Sequence, residues 1–432
     1  MQQKGNMRAG EAGAAELDGP GALREAERCL YCFDAPCTVA CPVHIDIPGF
    51  IAMLRSGNRR GAAWLVRDAN PLADTCGRIC PSEIYCQSAC TKAKQDAPVL
   101  IRELHLHATL SERVRDYHAE IPRQSGKRAA VLGGGPAGLG CAFELARLGH
   151  EVDLYNDGLP GGVPLKSIPP YRLPGEDLAR DTEFLRSHFS LHETVIDRRV
   201  FDSIAASHDA LFIAVGLGHD RPLGIPGENL RNVYPVLGFL ETAKRNPRSL
   251  TIGSRVIVVG GGNVSLDAAS TAVQLGADDV TLLYRRSEQQ MLVWRAELAA
   301  ARRLGVVFRF LSAPVSIAGK DRVEGVLCRG MRLGDRVDES GRPVPVPIPG
   351  SDTLFPADSV IVAIGQDLSA GWLPPLDRTA RGHISVDGSF RTSVAGMFAG
   401  GDAASGEGTV VRSLADGAKA ARSMHEYMMG GG

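Results

Sequence analysis

The 432-residue sequence lacks both a long apolar run and a surplus of charge of either sign. No apolar stretch approaches the roughly 20 residues that cross a bilayer, so we expect no membrane among its partners. Lys and Arg number 48 and Asp and Glu number 49, so no global field favours nucleic acid. Residues 1–23 lack the apolar core of a secretory signal, and we expect a cytoplasmic protein.

Cysteine is scarce beyond position 90, where only Cys141 and Cys328 occur, and we expect both in the core. The other cysteines form two runs, Cys29, Cys32, Cys37 and Cys41, then Cys76, Cys80, Cys86 and Cys90. Crowded thiols in a reducing compartment favour metal or redox chemistry over disulfides. The Cys-Pro steps at Cys41 and Cys80 are typical of ferredoxin-like runs and favour iron–sulfur clusters. Two four-thiolate zinc sites are the alternative.

A first glycine loop follows the short apolar strand 128–132 and precedes an amphipathic helix that extends to Leu148. In this loop Gly133 permits a tight turn, Gly135 lets the backbone approach a pyrophosphate, and Gly138 lets helix and strand pack closely. A second strand, 151–155, completes a βαβ pattern that predicts dinucleotide binding. The acidic residue expected after that strand is replaced by Asn156, which can hydrogen-bond a ribose hydroxyl, with Asp157 next to it.

The same pattern recurs about 127 residues later, with a strand at 256–259, a glycine loop at 260–265 and a second strand ending at Tyr284. Arg285 and Arg286 stand where an acid would bind a ribose 2′-hydroxyl. Two guanidiniums there favour a 2′-phosphate, so we expect NADPH rather than NADH. The alternative is that these arginines are solvated loop charges.

Six segments of the sequence carry a resemblance to known proteins. They are Cys29-Leu-Tyr-Cys32, Asp34-Ala-Pro-Cys37, Asn70-Pro-Leu-Ala-Asp-Thr-Cys76-Gly-Arg-Ile-Cys80-Pro81, Cys86-Gln-Ser-Ala-Cys90, Ile168-Pro-Pro-Tyr-Arg-Leu-Pro174 and Ala399-Gly-Gly-Asp402. Together they resemble the NAD(P)H-oxidising subunit of dihydropyrimidine dehydrogenase and, as a close cousin, the small subunit of NADPH-dependent glutamate synthase. The resemblance covers roughly residues 24–428, and the cysteine framework is its most specific part.

The resemblance implies an α/β protein with an N-terminal α-helical iron–sulfur domain at 24–122 that holds two [4Fe–4S] clusters. It also implies two Rossmann-like, glutathione-reductase-like dinucleotide domains. An FAD domain at 124–221 and 367–432 is split by an NAD(P)H domain at 222–366. The return of the chain to the first domain is expected because the Gly401-Asp402 signal belongs to the flavin site in this family.

The family also implies how the cysteines are shared between the clusters. One cluster would use Cys29, Cys32, Cys37 and Cys90. The other would use Cys41, Cys80, Cys86 and a non-cysteine ligand seven residues after a proline. Here that proline is Pro98 and the residue is His105, where relatives carry Gln or Glu. Cys76 would then bind no iron, although it could instead be the eighth ligand and His105 a surface histidine.

Motif and resemblance together nominate the cofactor-binding residues. For FAD they are Gly133, Gly135, Pro136, Ala137, Gly138, Asn156, Gly162, Arg172, Gly401, Asp402, Thr409 and Val410. For NADPH or NADH they are Gly260, Gly262, Asn263, Val264, Arg285, Arg286 and Gly365. We expect no catalytic acid–base or nucleophilic side chain, because the cofactors carry the chemistry.

The implied function is electron input, with hydride passing from NAD(P)H to FAD and single electrons passing through the clusters to a partner. Only 30 residues follow Asp402, fewer than the roughly 250 of a substrate-binding barrel, so we expect a separate catalytic subunit in a hetero-oligomer. An FMN-containing barrel of a dihydropyrimidine dehydrogenase complex, which reduces uracil or thymine, is the main expectation. Alternatives are a glutamate synthase small subunit, an electron-bifurcating transhydrogenase-type subunit, and a flavin-linked redox sensor or zinc-stabilised interaction module.

Overall fold

The computed structural model describes residues 15–111, 124–406 and 408–430. The chain divides into two compact units. The split unit comprises 15–165, Arg172–Gly218 and 368–430, and the inserted unit comprises Lys166–Tyr171 and His219–Asp367. Each unit contains its own parallel sheet.

The split unit begins with short helices that carry and surround the cysteines. They are α1 (Gly19–Glu27), α2 (Pro36–Ala40), α3 (Ile47–Arg55), α4 (Arg59–Ala69), α5 (Ala73–Ile79) and α6 (Ile101–Leu110). Side chains of Asp46 and Asn58 cap α3 and α4 by accepting a backbone N–H, which explains where these helices begin. The length of cysteine-rich chain that follows α6, residues 112–123, lies outside the described residues.

A five-stranded parallel sheet follows in the same unit, with strand order β16-β4-β1-β2-β3. Its strands are β1 (Arg128–Leu132), β2 (Glu151–Asn156), β3 (Ser190–Glu193), β4 (Ala210–Ile213) and β16 (Met397–Ala399). Its helices are α7 (Pro136–Arg147), α8 (Gly162–Lys166), α9 (Gly175–Leu185), α10 (Arg198–Ser207), α14 (Asp402–Ser405) and α15 (Val410–Met428). The central strands are apolar on both faces, as expected where helices cover a parallel sheet.

The last part of the chain returns to this sheet and is integral to it. Strand β16 pairs with β4, and α15 packs directly on α7. A Cβ on Gly417 would lie 1.9 Å from the Ala137 carbonyl oxygen, and one on Gly140 would lie 2.4 Å from the Leu414 carbonyl oxygen. Glycine at both positions therefore lets the two helix backbones touch.

The inserted unit has a second five-stranded parallel sheet, with strand order β6-β14-β7-β8-β9. Its strands are β6 (Val233–Pro235), β7 (Arg255–Gly260), β8 (Asp279–Tyr284), β9 (Val307–Phe310) and β14 (Ser359–Ala363). The helices of the unit are α11 (Val236–Arg245), α12 (Asn263–Gln274) and α13 (Arg295–Arg303). An antiparallel sheet is formed by β10 (Ser312–Ala318), β11 (Gly325–Val337), β12 (Pro343–Pro347) and β13 (Thr353–Pro356), and β5 (His219–Asp220) pairs with β15 (Gln366–Asp367).

The expected fold class is confirmed, since two parallel α/β sheets of Rossmann type follow a helical N-terminal segment. Both predicted βαβ patterns form at the predicted positions, with strand ends that differ from the expected ones by at most one residue. Cys141 and Cys328 are buried, as expected of core residues. Among the helices that the structure describes, none is long and apolar enough to cross a membrane.

Candidate functional site

Four cysteines from two separate segments of the chain line one cavity in the split unit. Cys29 follows α1, Cys37 lies on α2, and Cys32 and Cys90 come from loops. Apolar side chains, including Ile47, complete the walls. Burial, with smaller contributions from the neighbouring thiols of Cys29 and Cys90, raises the pKa of the Cys37 thiol to about 11. Half-buried thiols that line one cavity favour a cationic centre between them, because it would stabilise their thiolates.

The backbone around this cysteine run places N–H groups where they hydrogen-bond the cysteine sulfurs. The N–H groups of Tyr31 and Thr38 donate to the thiols of Cys29 and Cys37, respectively. Tyr31 and Ala35 adopt positive φ angles of 50° and 36°, a conformation that side chains other than glycine rarely take. Such strain is concentrated at functional sites, and amide–sulfur hydrogen bonds are among the groups that tune cluster potential.

A second group of thiols is formed by Cys41, Cys80 and Cys86. Burial raises the pKa of Cys86 to about 12, with a further contribution from Cys41. Burial raises the pKa of the Cys80 thiol well above its usual value, and the nearby thiols of Cys76, Cys86 and Cys41 raise it as well. The backbone amides of residues 43–45 donate to the Cys41 thiol. Within residues 15–111, 124–406 and 408–430, no three Cys, His, Asp or Glu side chains are arranged to bind one metal ion.

His105 lies buried on α6, and its contacts are with α5 and α3 rather than with solvent. The ring bonds the Ala73 carbonyl oxygen, and its Nε2 is buried with no hydrogen-bond partner among the described residues, so Nδ1 makes the bond. Burial lowers the pKa of His105 to about 4, so the ring is neutral at pH 7. A neutral imidazole whose Nδ1–H is held by a carbonyl and whose Nε2 lone pair is free has the form of a metal-ligating histidine.

Glu103 is a buried carboxylate on the same helix that the sequence patterns did not single out. Its two oxygens accept from Arg102 and Gln87, and Gln87 directly follows Cys86. Arg102 also donates to the Cys80 carbonyl oxygen. Glu103 therefore stands beside the second thiol group, although its oxygens already have partners. An acidic residue in an amphipathic helix offers no sequence signal that separates this role from ordinary surface charge.

The first glycine loop has the close contacts expected of a dinucleotide-binding turn. Gly133 has a φ of 108°, and a Cβ on Gly138 would lie 1.9 Å from the Gly133 carbonyl oxygen. Pro136 begins α7, so Pro136, Ala137 and Gly138 form the first turn of that helix. Asn156 accepts the Gly134 N–H and donates to the carbonyl oxygens of Gly158 and Leu159. Its side chain thus holds the loop, while Asp157 next to it is exposed.

The C-terminal residues nominated for the flavin meet this loop. A Cβ on Gly401 would lie 2.7 Å from the Ala137 Cβ, and Gly162 lies against Gly135. Asp402 accepts from Ser413 on α15, and the Thr409 side chain caps α15 at Val410. Arg172 is buried in the same unit. The structure therefore brings together the loop at 133–138 and the described residues of the C-terminal segment, 401–406 and 408–410.

Tyr85 connects the cysteine-rich helices to that segment. Its hydroxyl lies 3.0 Å from the Thr409 Oγ1, and its ring packs against the core beneath α7 and α15. Tyr85 immediately precedes Cys86. No sequence pattern indicated this contact, because the two residues are 324 positions apart.

The second glycine loop, in the inserted unit, is formed in the same way. Gly260 has a φ of 156°, and no protein atom lies within 4 Å of the position that a Cβ on Gly262 would take. Asn263, at the start of α12, accepts the Trp294 N–H, and Val264 packs against the core of the unit. Gly365 precedes β15 with a φ of 121°.

The two arginines after β8 differ in their surroundings. Arg285 is exposed, whereas Arg286 is 3% exposed and donates to the Pro343 carbonyl oxygen and to Asp338. The Arg286 guanidinium is thus engaged by protein groups, whereas that of Arg285 is exposed, and contact of either with a 2′-phosphate stays a prediction. A third arginine, Arg342, reaches the same strand end from the turn between β11 and β12.

Comparison with known proteins identifies two families in this chain. Residues 127–422 match the pyridine nucleotide-disulphide oxidoreductase family, and residues 10–116 match the family described as dihydropyrimidine dehydrogenase domain II, 4Fe-4S cluster. The fold resembles FprA of Mycobacterium tuberculosis in complex with NADPH, with a TM-score of 0.61 and 19% identity over 70% of this chain and 85% of that one.

Among the relatives that match more than nine-tenths of this chain are subunits of several different enzymes. The glutamate synthase [NADPH] small chain of Halomonas elongata is 34% identical over 94% of this chain and 91% of its own length. The NAD-dependent dihydropyrimidine dehydrogenase subunit PreT of Escherichia coli is 31% identical, with 95% of each chain covered. The NADP(+)-dependent formate dehydrogenase subunit beta of Moorella thermoacetica is 34% identical over 92% of this chain, which spans 60% of that relative's length.

Proposed function

Because the chain belongs to the pyridine nucleotide-disulphide oxidoreductase family and carries a 4Fe-4S segment of the dihydropyrimidine dehydrogenase type, we propose that it is the electron-input subunit of a larger enzyme. The groups that this chain would bind would supply the chemistry, hydride acceptance from NADPH by FAD and single-electron transfer by iron–sulfur clusters. The protein's own residues hold these groups, order them and shield them from water.

The observation that supports this function best is the Tyr85–Thr409 contact. It joins the loop that carries Cys86 to the N-terminus of α15, which adjoins the first glycine loop. A second link lies in the same unit, where Asp181 on α9 accepts the backbone N–H groups of Asp74 and Thr75 at the start of α5. Helix α5 ends next to Cys80. The helices that carry the second thiol group are thus held against the predicted flavin half.

We assign the residues to cofactors as the sequence predicts. The cavity supports a cluster held by Cys29, Cys32, Cys37 and Cys90. Cys41, Cys80 and Cys86 are near enough for Cys41 to raise the pKa of the other two thiols, which supports the second cluster. The Nε2 of His105, which has no hydrogen-bond partner among the described residues, supports its fourth ligand. FAD is assigned to the loop at 133–138 with Gly162, Arg172, Asp402 and Thr409, and the nicotinamide nucleotide to the loop at 260–264.

The domain division is part of the proposal. We assign 24–122 to the clusters, 124–221 with 367–432 to FAD, and 222–366 to the nucleotide. The boundaries of the two compact units, after Gly218 and after Asp367, support the split. Residues 112–122, 407, 431 and 432 of these ranges lie outside the described residues.

The proposed partner is a separate catalytic subunit, an FMN-containing barrel that reduces uracil or thymine. The iron–sulfur family match and the PreT relative support this choice. The 34% identity to a glutamate synthase small chain supports a second candidate, the large subunit of that enzyme. Mixing the purified chain with each candidate subunit and NADPH, then measuring uracil reduction and glutamate formation, distinguishes the two.

The electron-input function is tested on the purified full-length chain. Iron, acid-labile sulfide and FAD should all be present, and anaerobic NADPH should bleach first the flavin absorbance and then that of the clusters. Zinc in place of iron and sulfide would support a zinc-stabilised module instead. A loaded protein that neither nicotinamide nucleotide reduces would contradict electron input.

Removal of the Tyr85 side chain should slow electron arrival at the clusters without slowing flavin reduction. Tyr85→Ala takes away the ring and hydroxyl that connect Cys86 to Thr409, so cluster reduction should become several-fold slower. Stopped-flow absorbance gives the flavin rate, and freeze-quench electron paramagnetic resonance gives the cluster rate. Tyr427→Ala, at the other end of α15, is the matched control and should change neither rate. Equal slowing of both rates by Tyr85→Ala would contradict a role between the two cofactors.

A further inference from the structure

Three guanidiniums gather at the end of β8 in the inserted unit, two of them from the chain after the strand and one from a distant turn. Arg285 and Arg286 follow Tyr284, and Arg342 closes the turn between β11 and β12. Asp338 is the carboxylate bonded within this group. The three arginines and this carboxylate carry a net charge of about +2 at neutral pH. Such a surplus favours an anionic ligand.

Arg286 acts as a brace for the turn. Its Nε donates to the Pro343 carbonyl oxygen at 2.9 Å, and its Nη2 lies 2.5 Å from the Asp338 Oδ2. Asp338 in turn accepts the backbone N–H groups of Ser340 and Arg342. Hydrogen bonds from Ser340 hold the pKa of Asp338 at about 2, so the carboxylate stays charged. Arg286 therefore fixes the backbone position of Arg342 in the turn.

Arg342 points from this turn toward the nucleotide loop. Its Nη1 lies 3.5 Å from the Tyr284 hydroxyl and 3.3 Å from the Gln290 carbonyl oxygen. The Tyr284 ring packs on the second glycine loop, since a Cβ on Gly261 would lie 2.2 Å from its Cε2. The turn thus delivers a guanidinium to the edge of the loop at 260–265. The positive charge of Arg342 also contributes to lowering the pKa of Arg285, after burial and the charge of Arg286.

The position of this group is chemically specific. In a βαβ nucleotide unit, the residue after the second strand meets the adenosine ribose, and an arginine there accommodates a 2′-phosphate. Guanidiniums bind phosphate through paired N–H groups, and two of them can share one phosphate. Arg286 is only 3% exposed where it holds Pro343 and Asp338, so its guanidinium is closed to a phosphate. Arg342 is half-buried, and although its Nε donates to Ser340 and its Nη1 to Gln290, its Nη2 can still donate to a ligand.

We propose that Arg342, together with Arg285, binds the 2′-phosphate of NADPH, and that Arg286 positions Arg342 without touching the nucleotide. This proposal rests on the proposed function, because it assigns a specificity residue within the same nucleotide site. In this proposal the 2′-phosphate is bound by Arg285 and Arg342, which the β11–β12 turn brings near each other, and not by the adjacent Arg285 and Arg286. Nucleotide preference then depends on a segment outside the βαβ unit.

Binding of 2′,5′-ADP and 5′-ADP to the full-length, cofactor-loaded protein tests the proposal by calorimetry. Arg342→Ala should weaken 2′,5′-ADP by at least about tenfold, the loss expected for a charge-assisted phosphate contact, and should leave 5′-ADP within about twofold. Arg342→Gln, which keeps the length and loses the charge, should do the same. Arg336→Ala is the matched control, because Arg336 is exposed on the same hairpin, and it should change neither affinity.

The positioning role of Arg286 has its own readout. Arg286→Ala should lower the ratio of kcat/KM for NADPH to that for NADH, and in the Arg286→Ala/Arg342→Ala double variant the two losses should not add. Additive losses, or a loss of thermal stability with an unchanged ratio, would show that Arg286 does not act through Arg342.

The outcomes also separate this inference from the proposed function. If Arg342→Ala and Arg342→Gln leave the 2′,5′-ADP affinity unchanged, or weaken both ligands equally, the assignment of Arg342 is wrong. If 2′,5′-ADP binds as expected but NADPH does not reduce the flavin, the nucleotide site stands and electron input fails.

Discussion

Replacing His105 by Ala should remove or alter one of the two clusters, whereas Cys76→Ser should leave about eight irons per chain, two cubanes' worth. The reason is geometric. His105 is buried, its Nδ1 is held by the Ala73 carbonyl oxygen, and its Nε2 has no hydrogen-bond partner among the described residues. A buried acceptor without a partner costs free energy, so Nε2 at this place favours a ligand.

Cys76 has different surroundings, although it is close to the same thiols. It lies within α5, is fully buried, and packs into the apolar core that includes Leu72 and Leu139. Burial raises the pKa of its thiol to about 12. A protonated thiol in an apolar core behaves as a small hydrophobic residue.

Iron and sulfide analysis of the two variants, with electron paramagnetic resonance of the reduced protein, is the measurement. Glu103→Gln serves as the matched control on α6, since the Glu103 oxygens already accept from Arg102 and Gln87, and it should keep both clusters. Loss of iron in Cys76→Ser with a normal His105→Ala protein would reverse the assignment. Loss in Glu103→Gln alone would make that carboxylate the ligand.

Arg67→Met should lower the free energy of unfolding by about 3–5 kcal/mol, the cost of breaking a buried ion pair by removing one partner. Arg67 is 2% exposed and lies between two carboxylates that are 0% exposed, at 2.8 Å from Asp74 and 3.0 Å from Asp181. Methionine would leave these buried charges with only part of their compensation. Arg180, which bonds Asp74, lies partly in solvent.

Urea denaturation of the loaded protein, followed by circular dichroism and by cluster absorbance, measures this loss. Arg422→Met is the matched control, because Arg422 is largely exposed in its pair with Glu144 and should cost about 0–1 kcal/mol. Adding Asp181→Asn to Arg67→Met should recover part of the loss, since the amide oxygen can still accept from the start of α5 without a charge. A change in Arg67→Met no larger than that in Arg422→Met would contradict the structural role.

The elements that the sequence predicted well are those specified by short-range patterns. The strand at 128–132 and the helix after it follow from an apolar run, a glycine loop and a 3.6-residue period, and they lie at the expected positions. The burial of Cys141 follows from its place on the inner face of that helix. Such features depend on neighbours within a few residues, which the sequence displays directly.

The features that sequence reasoning missed all join distant parts of the chain. Arg67 and Asp181 are 114 positions apart, and Arg286 and Asp338 are 52 apart. Each of these residues belongs to a type that is usually solvated, so no local pattern marks it as buried or paired. Arg286 was expected at the nucleotide because it follows the second strand, and the structure adds that it hydrogen-bonds Pro343 and Asp338 in a distant turn.

The sequence by itself determined the chemistry that this chain can hold, because cysteine spacing and glycine loops are local requirements of clusters and dinucleotides. Only the tertiary structure decided which distant residues lie together, such as Tyr85 with Thr409 and Arg342 with Tyr284. The physical reason is that these contacts form when helices and hairpins pack, and packing joins residues without regard to their separation along the chain.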